Sequence, residues 1–443
     1  MAARPLGIAL AGLGNVGFET ARLLLLRQDE FSRRLGRRLE LRWVCDPRVD
    51  AKARRLRLPR SVTRAREAWR ALADPNVDVV VELIGGVDDA RALVLGALAA
   101  GKQVVTANKH LLSRHWDAVF RAAERRRSRV YFEAAVAGGI PILQALRTGL
   151  AANRIRSVSG ILNGTTNFIL SRMSLAGCSM EEALREAQRM GMAERDPRLD
   201  LSGADTAHKV SILASLIAGR WVRPGRVVCQ GIEGIGAEDM RFALEKLGRT
   251  PRLLGTARFD WSPSRTGVEV HVQPTLVPLQ HPLAGVHGGY NAVLVDASSA
   301  EDLMFYGKGA GPGPAASAVL SDILTLGGEL LAGGPPVPAR RTSGALSFEP
   351  ESEAPHYLKL MVRDVPGALA RIAGILGKTG ISIAQIHQAG ERSRSGDAVP
   401  VMIVTHDTSR RRMDSARAAI SRLPIVARRH CCCLRILPGG PRL

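Results

Sequence analysis

The sequence has no long apolar stretch: none of its 443 residues lies in a run of about 18 uninterrupted apolar side chains, which a membrane-spanning helix needs. It also opens without the basic region and apolar core of a secretory leader. Apolar residues make up 46% and charged residues 23%, a balance that excludes a disordered or fibrous chain. We therefore expect a soluble protein of two or three domains, without a membrane partner.

Cysteine is scarce, and its spacing is not that of a structural site. Six cysteines occur, three of them consecutive at 431–433, and there is no C-x-x-C pair. This pattern excludes a disulfide framework and the usual zinc spacings. A reducing, cytoplasmic location is the expectation.

Lysine and aromatic residues are also rare. The formal net charge is +21, but only 8 of the 62 basic residues are lysine, and aromatic residues make up 4% of the chain. The arginines are spread over the whole length without the interleaved aromatic residues of a nucleic-acid surface. The charge therefore predicts a solvated surface and no nucleic-acid partner, and a lysine inside a motif stands out.

The first third of the chain alternates short apolar runs with helical patterns. Strands are predicted at residues 6–11, 39–45, 77–84, 102–106 and 130–136, and helices at 18–27, 88–100 and 111–127. Strands in alternation with helices predict an α/β domain with a parallel, doubly wound (Rossmann) sheet. We assign residues 1–140 to it.

The rest of the chain divides into two further units and a linker. Residues 141–330 mix helical and alternating patterns, which suits an α+β substrate domain. Residues 331–355 are rich in Pro, Gly, Arg and Ser, which predicts a linker. Residues 356–437 follow the order βαββαβ, which predicts a ferredoxin-like fold.

A glycine motif, G-x-G-x-x-G, directly follows the first predicted strand and opens a helix. Such a turn lets the backbone approach a pyrophosphate at the helix N-terminus, so it predicts a dinucleotide site. Asp46, at the end of the second strand, favours the free ribose hydroxyl of NAD, whereas Arg48 and Lys52 suit the 2′-phosphate of NADP, and the choice stays open. The residues expected to bind the cofactor here are Gly12, Gly14, Asn15, Val16, Gly17 and Asp46.

Three polar segments follow in the next hundred residues. Lys109 comes after the strand at 102–106, either at the ligand-binding edge of the sheet or as a solvated loop lysine. The segment 163–167, Asn-Gly-Thr-Thr-Asn, either clamps a small polar substrate or caps the next helix. Asp205 and Lys209 are four residues apart on one helical face, as reactive groups or as a surface ion pair.

Five segments follow one another along the chain: residues 81–86 (VELIGG), 104–109 (VVTANK), 132–141 (FEAAVAGGIP), 160–167 (GILNGTTN) and 193–209. Together, and in this order, they resemble one enzyme family, the homoserine dehydrogenases with a C-terminal ACT domain. The resemblance spans nearly the whole chain. It implies reduction of L-aspartate 4-semialdehyde to L-homoserine with NADH or NADPH, on the route to threonine and methionine.

The resemblance also implies roles for individual residues. Lys209 matches the proposed proton donor, and Lys109 matches a second lysine between cofactor and substrate. An ammonium group beside the aldehyde can stabilise and protonate the alkoxide that hydride transfer creates, and Asp205 would hold Lys209 there. Residues 306–330 match the segment that returns to the first domain. The substrate-binding matches are Glu194, Asp205 and Thr165, and the further cofactor-binding matches are Gly85, Lys109 and Gly311.

A cation, an effector and an assembly are implied as well. The main chain at Glu133, Val136, Gly138 and Ile140 matches a sodium site, with a purely structural turn as the alternative. A turn and helix start in the ACT region match an amino-acid site, for which threonine is the expected effector; its residues are Asp364, Gly367, Ala368 and Leu369. We expect a homodimer or homotetramer. Deletion beyond residue 332 is expected to leave a competent core.

Two other functions are weighed against this one. An acylating semialdehyde dehydrogenase needs a cysteine nucleophile beside a base, and Cys178 has no base near it in the sequence. A non-catalytic ACT-type sensor would not need Lys109, Glu194, Asp205 and Lys209, all of which are present. The sequence therefore favours the dehydrogenase.

Overall fold

The computed structural model describes residues 4–334, 345–388 and 398–438. Its first region is a six-stranded parallel sheet in the order β3-β2-β1-β4-β5-β6, which confirms the predicted doubly wound class. The strands are β1 (Leu6–Ala11), β2 (Leu39–Cys45), β3 (Thr63–Ala65), β4 (Val79–Glu82), β5 (Gln103–Thr106) and β6 (Val130–Tyr131). The helices are α1 (Asn15–Leu26), α2 (Gln28–Leu35), α3 (Val49–Leu56), α4 (Asp88–Ala99) and α5 (Lys109–Arg125).

The strand predicted at 130–136 is much shorter than expected. β6 ends at Tyr131, and a 3₁₀ turn, Glu133–Ala135, follows. The chain then turns through Ala137 and Gly138, whose φ angles of 56° and 53° lie in the left-handed region and are incompatible with a strand. The apolar run is buried in this turn rather than in the sheet.

The second region packs helices against a mixed sheet. Its strands are β7 (Ile155–Ile161), β8 (Val228–Cys229), β9 (Arg249–Trp261), β10 (Arg265–Pro278), β11 (Tyr290–Ala297) and β12 (Glu301–Lys308). Its helices are α6 (Ile142–Gln144), α7 (Gly164–Ala176), α8 (Met180–Arg189), α9 (Arg198–Leu201), α10 (Ala204–Ala218), α11 (Ala237–Leu247) and α12 (Pro312–Ala332). Thirteen of the fifteen residues of α10 are buried, so this helix forms the centre of the region.

The last helix of this region lies against the first sheet. By length and composition α12 is apolar enough to cross a membrane, but half of its most apolar window is buried in the structure. Val319, Ile323 and Leu326 pack into a core cluster of the first sheet, and Asp322 accepts a hydrogen bond from the Glu133 N–H at 2.7 Å. The helix therefore has the packing of a core helix.

The third region is ferredoxin-like, as predicted, and continues the second sheet. Its elements are β13 (Ala345–Phe348), β14 (His356–Arg363), α13 (Ala368–Lys378), β15 (Ile383–Gln388), β16 (Ala398–Thr405), α14 (Arg410–Ile420) and β17 (Val426–Ile436). The combined sheet runs β12-β11-β7-β9-β10-β17-β14-β16-β15, with β8 and β13 also paired to β10.

The segment 331–355 is not wholly a linker. Ala345–Phe348 forms β13, which pairs in parallel with the start of β10, because its backbone groups meet the free edge there. Residues 335–344 of the predicted linker lie outside the described residues. The domain boundaries themselves stay predictions.

A buried ion pair fixes the third region on the second. Asp239, in the first turn of α11, accepts hydrogen bonds from Tyr357 Oη and Lys359 Nζ on β14, both at 2.7 Å. It also accepts one from the Gly236 N–H at 2.7 Å. We call Asp239, Tyr357 and Lys359 the junction.

Candidate active site

Two lysines from different regions share one aspartate. Asp205 lies in the first turn of α10, Lys209 lies one turn later, and Lys109 is the first residue of α5. Lys209 Nζ is 2.8 Å from Asp205 Oδ2, and Lys109 Nζ is 3.0 Å from Asp205 Oδ1. We call these three residues the lysine–aspartate site. They bring two ammonium groups to the carboxyl edge of the first sheet, where doubly wound folds bind ligands.

The backbone and a neighbouring amide orient this site. Lys209 Nζ donates a hydrogen bond to the Leu162 carbonyl, at the end of β7, at 2.6 Å. The Asn163 amide donates to Asp205 Oδ2 at 2.9 Å and to Asp200 Oδ1 at 2.7 Å. Asn163 also caps α7 by accepting from the Thr166 N–H at 2.8 Å, so the predicted capping role holds.

Sequence reasoning gave no role to Asn163 or Asp200 as individual residues. They lie 42 and 5 positions from Asp205 in the chain, and only the fold joins them through the amide bridge. A segment rich in Asp just before α10 is the one signal that pointed toward Asp200.

The pKa values of Asp205 and Asp200 are shifted in opposite directions. Burial would raise the pKa of Asp205, but the charges of Lys209 and Lys109 and its hydrogen bonds hold that pKa well below its usual range. Burial, assisted by the nearby charge of Asp205, raises the pKa of Asp200. The site therefore holds a firmly ionised carboxylate between two ammonium groups.

The glycine motif forms an open cradle at the start of α1. A Cβ on Gly12 would lie 2.4 Å from the Leu83 carbonyl oxygen, and one on Gly17 would lie 1.9 Å from the Gly12 carbonyl oxygen, so both positions require glycine. A Cβ on Gly14, by contrast, would have no neighbour within 4 Å. The predicted residues Asn15 and Val16 form the first turn of the helix. The cradle thus fits a pyrophosphate on the helix N-terminus.

Asp46 is buried and already bound by the protein. It accepts hydrogen bonds from the N–H groups of Leu13 and Arg48, both at 2.8 Å, and from Lys52 Nζ at 2.7 Å. Although burial opposes them, these donors lower its pKa. Its charge is therefore compensated by Lys52, while the Arg48 side chain is exposed. The negative charge expected to disfavour a 2′-phosphate is weaker than the sequence suggested.

The other predicted cofactor residues lie at turns. Gly85 has a φ angle of 75° after β4, and Gly311 has one of 117° just before α12. The Asn108 amide, next to Lys109, donates to the Gly86 carbonyl at 2.8 Å. Strands β1, β4 and β5 are parallel neighbours, so the turns that follow them share one sheet edge.

The predicted substrate residues are not all brought together. The Thr165 hydroxyl donates to the Met192 carbonyl at 2.9 Å and so holds the 191–197 loop on α7. Glu194 lies in that loop with an exposed side chain, and its backbone carbonyl accepts from the Gln188 amide at 3.1 Å. Among the described contacts none joins the Glu194 carboxylate to the lysine–aspartate site.

At the predicted cation site, the oxygen atoms available to a cation belong to the main chain. Both carboxylate oxygens of Glu133 accept backbone hydrogen bonds, from Leu143 at 2.8 Å and Gln144 at 2.7 Å, and burial raises its pKa to about 7. In the described part of the chain, no group of three acidic, histidine or cysteine side chains is placed to hold a metal. The donors available at Val136, Gly138 and Ile140 are carbonyl oxygens, which suit a hard cation such as sodium.

The predicted effector residues line a cavity of about 430 Å³ in the third region. Asp364, Gly367, Ala368 and Leu369 all contribute to its wall, together with Gln388 from β15 and Val401 from β16. Gly367 has a φ angle of 80° and starts α13. The Gln388 amide donates to Asp364 Oδ1 at 3.3 Å, which joins the turn to the sheet.

Three family models match the chain. Residues 141–324 match the model described as homoserine dehydrogenase. Residues 12–133 match the NAD-binding domain of homoserine dehydrogenase, and residues 356–424 match the ACT domain.

Relatives match over nearly the full length. The chain is 40% identical over 435 residues to the homoserine dehydrogenase of Neisseria gonorrhoeae, covering 96% of this chain and 97% of that protein. It is 41% identical over 403 residues to that of Corynebacterium glutamicum, covering 90% and 88%. The crystal structure of a homoserine dehydrogenase from Thiobacillus denitrificans has a TM-score of 0.88 and 38% identity, covering 99% of this chain and 100% of that one.

Proposed function

The chain belongs to the homoserine dehydrogenase family, and from that premise we propose that it reduces the aldehyde of L-aspartate 4-semialdehyde to the alcohol of L-homoserine with NADH or NADPH. One observation carries the catalytic assignment: two ammonium groups, from Lys109 and Lys209, meet on the carboxylate of Asp205. This arrangement places acid groups beside the edge that suits the cofactor. A non-catalytic sensor has no use for it. Cys178 packs against the main core, which gives an acylating mechanism no support.

The three residues of the lysine–aspartate site are proposed to donate a proton, stabilise the developing charge and position the two lysines. When bound, the reduced nicotinamide supplies a hydride to the aldehyde carbon. Lys209, held by Asp205 and the Leu162 carbonyl, donates a proton to the oxygen as it gains negative charge. Lys109, from the cofactor side, stabilises the same oxygen electrostatically. Asp205 keeps both lysines in place through its two ion pairs.

The substrate's amino group needs acceptors, and the loop before α10 provides them. Glu194 of that loop and Thr165 in the first turn of α7 are proposed for this end of the substrate, together with Asp200, which the Asn163 amide joins to Asp205. Glu194 lies in the 191–197 loop, and its exposed carboxylate is accessible to a substrate amino group. Glu194→Gln should then chiefly raise KM rather than lower kcat.

Both cofactors are proposed to serve. Because Lys52 compensates the charge of Asp46, a 2′-phosphate is tolerated there, and the exposed Arg48 is close enough in sequence to bind it.

The turn at 133–140 is proposed to hold sodium through main-chain carbonyls. Threonine is proposed as the effector of the 430 Å³ cavity, because the start of α13 can accept its carboxylate. A cytoplasmic location remains a prediction from cysteine usage.

A homodimer or homotetramer is proposed for the assembly. The side chains of β15, an end strand of the long sheet, are mostly exposed, and its edge can pair with a second copy. Light scattering on the purified protein gives the assembly mass, and a monomeric mass would contradict this proposal.

One assay tests the proposed function. The purified protein should oxidise NADPH and NADH in the presence of L-aspartate 4-semialdehyde, followed by absorbance at the nicotinamide band. Lys209→Ala should lower kcat by at least about a hundredfold, the scale of a general acid, with cofactor binding unchanged. Near-normal turnover of that variant would refute the assignment of Lys209. Absence of turnover in the wild type would refute the function.

A further inference from the structure

The first segment of α5, which begins with Lys109, is not continuous with the rest of its helix. His115 has φ −129° and ψ 27°, which breaks the helical geometry six residues after Lys109. The remainder of α5 is fixed in the first region by buried Trp116, whose ring packs edge to face against Phe132, the residue after β6. A segment of one and a half turns separated by such a kink needs its own anchor if Lys109 is to stay at Asp205.

The second region supplies that anchor at Ser113. The Ser113 hydroxyl lies 2.8 Å from His208 Nδ1 of α10. The Ser113 carbonyl accepts a hydrogen bond from Trp221 Nε1 at 2.8 Å. The hydroxyl and the carbonyl of this buried serine are therefore both bound by side chains of the second region, one turn after Lys109. The hydroxyl also lies 3.4 Å from the His110 carbonyl of its own segment.

A ring contact adds to this anchor. His110 and His208 pack edge to face, with ring centroids 4.6 Å apart and an interplanar angle of 79°. Each histidine is the sequence neighbour of one of the two lysines, so the contact spans the same gap as the Lys109–Asp205 pair. Burial lowers the pKa of His208 to about 4, so the ring is neutral and does not repel the lysines.

We propose that Ser113 and His208 form a latch between the two regions that positions Lys109 on Asp205 for proton-transfer chemistry. Ser113 and His208 are positioning residues, since neither is assigned a contact with substrate. This inference rests on the proposed role of Lys109, and it adds two residues to which the reaction assigns no chemistry. Loss of the latch frees the segment up to the kink, so Lys109 spends less time at the site.

The test is a double-mutant cycle on kcat. Ser113→Ala should lower kcat about tenfold in the wild-type background and leave it unchanged in Lys109→Ala, because the latch acts only through Lys109. His208→Leu should change kcat in the same way as Ser113→Ala in both backgrounds. His208→Asn, whose amide can replace Nδ1 as the partner of Ser113, should keep most of the wild-type kcat. Ser171→Ala is the matched control: its buried hydroxyl accepts from the Gly288 N–H at 3.3 Å, away from both lysines, and kcat should not change.

A second readout does not depend on activity. Hydrogen exchange of amides 109–113 should speed up in Ser113→Ala, while exchange elsewhere and the free energy of unfolding stay close to the Ser171→Ala values. Equal tenfold losses of kcat in both backgrounds, or unchanged exchange at 109–113, would overturn the latch. Wild-type turnover of Lys109→Ala would instead overturn the proposed role of Lys109, and the exchange measurement would still decide whether the latch exists.

Discussion

The lysine–aspartate site and the junction use the same groups in opposite surroundings. Asp205 and Asp239 both lie in the first turn of a helix, where the helix dipole favours a negative charge, and both accept from a lysine at 2.7–2.8 Å. At the lysine–aspartate site the side chains of Lys109, Lys209 and Asp205 are 31%, 12% and 10% exposed. At the junction Lys359 is 4% and Asp239 0% exposed.

The two ion pairs differ in exposure because strand β14 covers only the one at the junction. Strand β14 closes over Asp239, so its ion pair can only hold two regions together. Between α5 and α10 some access remains, so a ligand can reach the ammonium groups and take a proton. The sealed pair holds two regions together, and the catalytic role that we propose belongs to the pair that a ligand can reach.

The largest expected effect is on the sealed pair. Asp239→Ala leaves Lys359 and Tyr357 buried without their acceptor, which should lower the free energy of unfolding by about 3–5 kcal/mol. Urea denaturation measures this, and kcat of the folded protein should stay within about twofold. Glu238→Ala is the matched control, because Glu238 is 55% exposed and 3.9 Å from Lys359, and it should cost less than about 0.5 kcal/mol. Equal destabilisation by both variants would break the comparison.

The second and third regions each bury a histidine close to its ion pair, so pH should also affect the stability of both. The pKa values of His208, beside the open pair, and His356, at the start of β14, are lowered to about 4, mainly by burial. Unfolded histidine titrates near 6.5, so the unfolded chain binds more protons between pH 6.5 and 4, and stability falls as pH drops through that window.

Urea denaturation at pH 7 and pH 5 measures this dependence. Replacing either histidine by Asn should reduce the loss of stability between the two pH values by up to about 2 kcal/mol. Exposed His406→Asn should leave the loss unchanged. If all three variants match the wild type, the buried histidines are not the source of the pH dependence.

The smallest expected effect concerns a third ion pair, whose side-chain exposure lies between the exposures of the other two. Lys52 and Asp46 have side-chain exposures of 18% and 7%. Lys52→Ala should restore the negative charge of Asp46 toward a 2′-phosphate and lower kcat/KM for NADPH relative to NADH by roughly fivefold. Lys102→Ala, which removes a lysine bound to the Asp74 and Val77 carbonyls, serves as control. An unchanged NADPH to NADH ratio in Lys52→Ala would place Asp46 outside the ribose pocket.

The local patterns of the fold could be predicted from the sequence. Strands 6–11 and 39–45 have the predicted bounds, because each is a short apolar run between turn signals. Strand 130–136 could not be predicted correctly, since an apolar run reads alike in a strand and in a buried turn. β13 was missed because its short segment is stabilised by pairing with β10 rather than by its own composition.

The junction changes one expectation drawn from the sequence. Its partners are 118 and 120 residues apart, so no local pattern signals them. Deletion beyond residue 332 was expected to leave a competent core. Because β14 covers Asp239 and β17 pairs with β10, we now expect that deletion to destabilise the second region, and point variants at Asp364 or Gly367 are the sharper test of effector binding.

Only the local part of the candidate site could be predicted from the sequence. The spacing of Asp205 and Lys209 shows in the sequence because it repeats one helical turn. The pairing of Lys109 with Asp205, 96 positions apart, needs the fold. The amide bridge of Asn163 and the contact of Ser113 with His208 are tertiary in the same way, and nothing in their local sequence separates them from ordinary polar residues.

The difference between the reachable and the sealed pair is measured by kcat and the free energy of unfolding of two variants, Lys209→Met and Lys359→Met. Lys209→Met should lose at least about a hundredfold in kcat, with a change in the free energy of unfolding below about 1 kcal/mol. Lys359→Met should lose about 3 kcal/mol or more, because Asp239 is left buried without its cation, and the folded protein should keep kcat within about twofold. If both variants lost turnover alike, or if Lys209→Met were the less stable of the two, the distinction between a reachable and a sealed pair would be wrong.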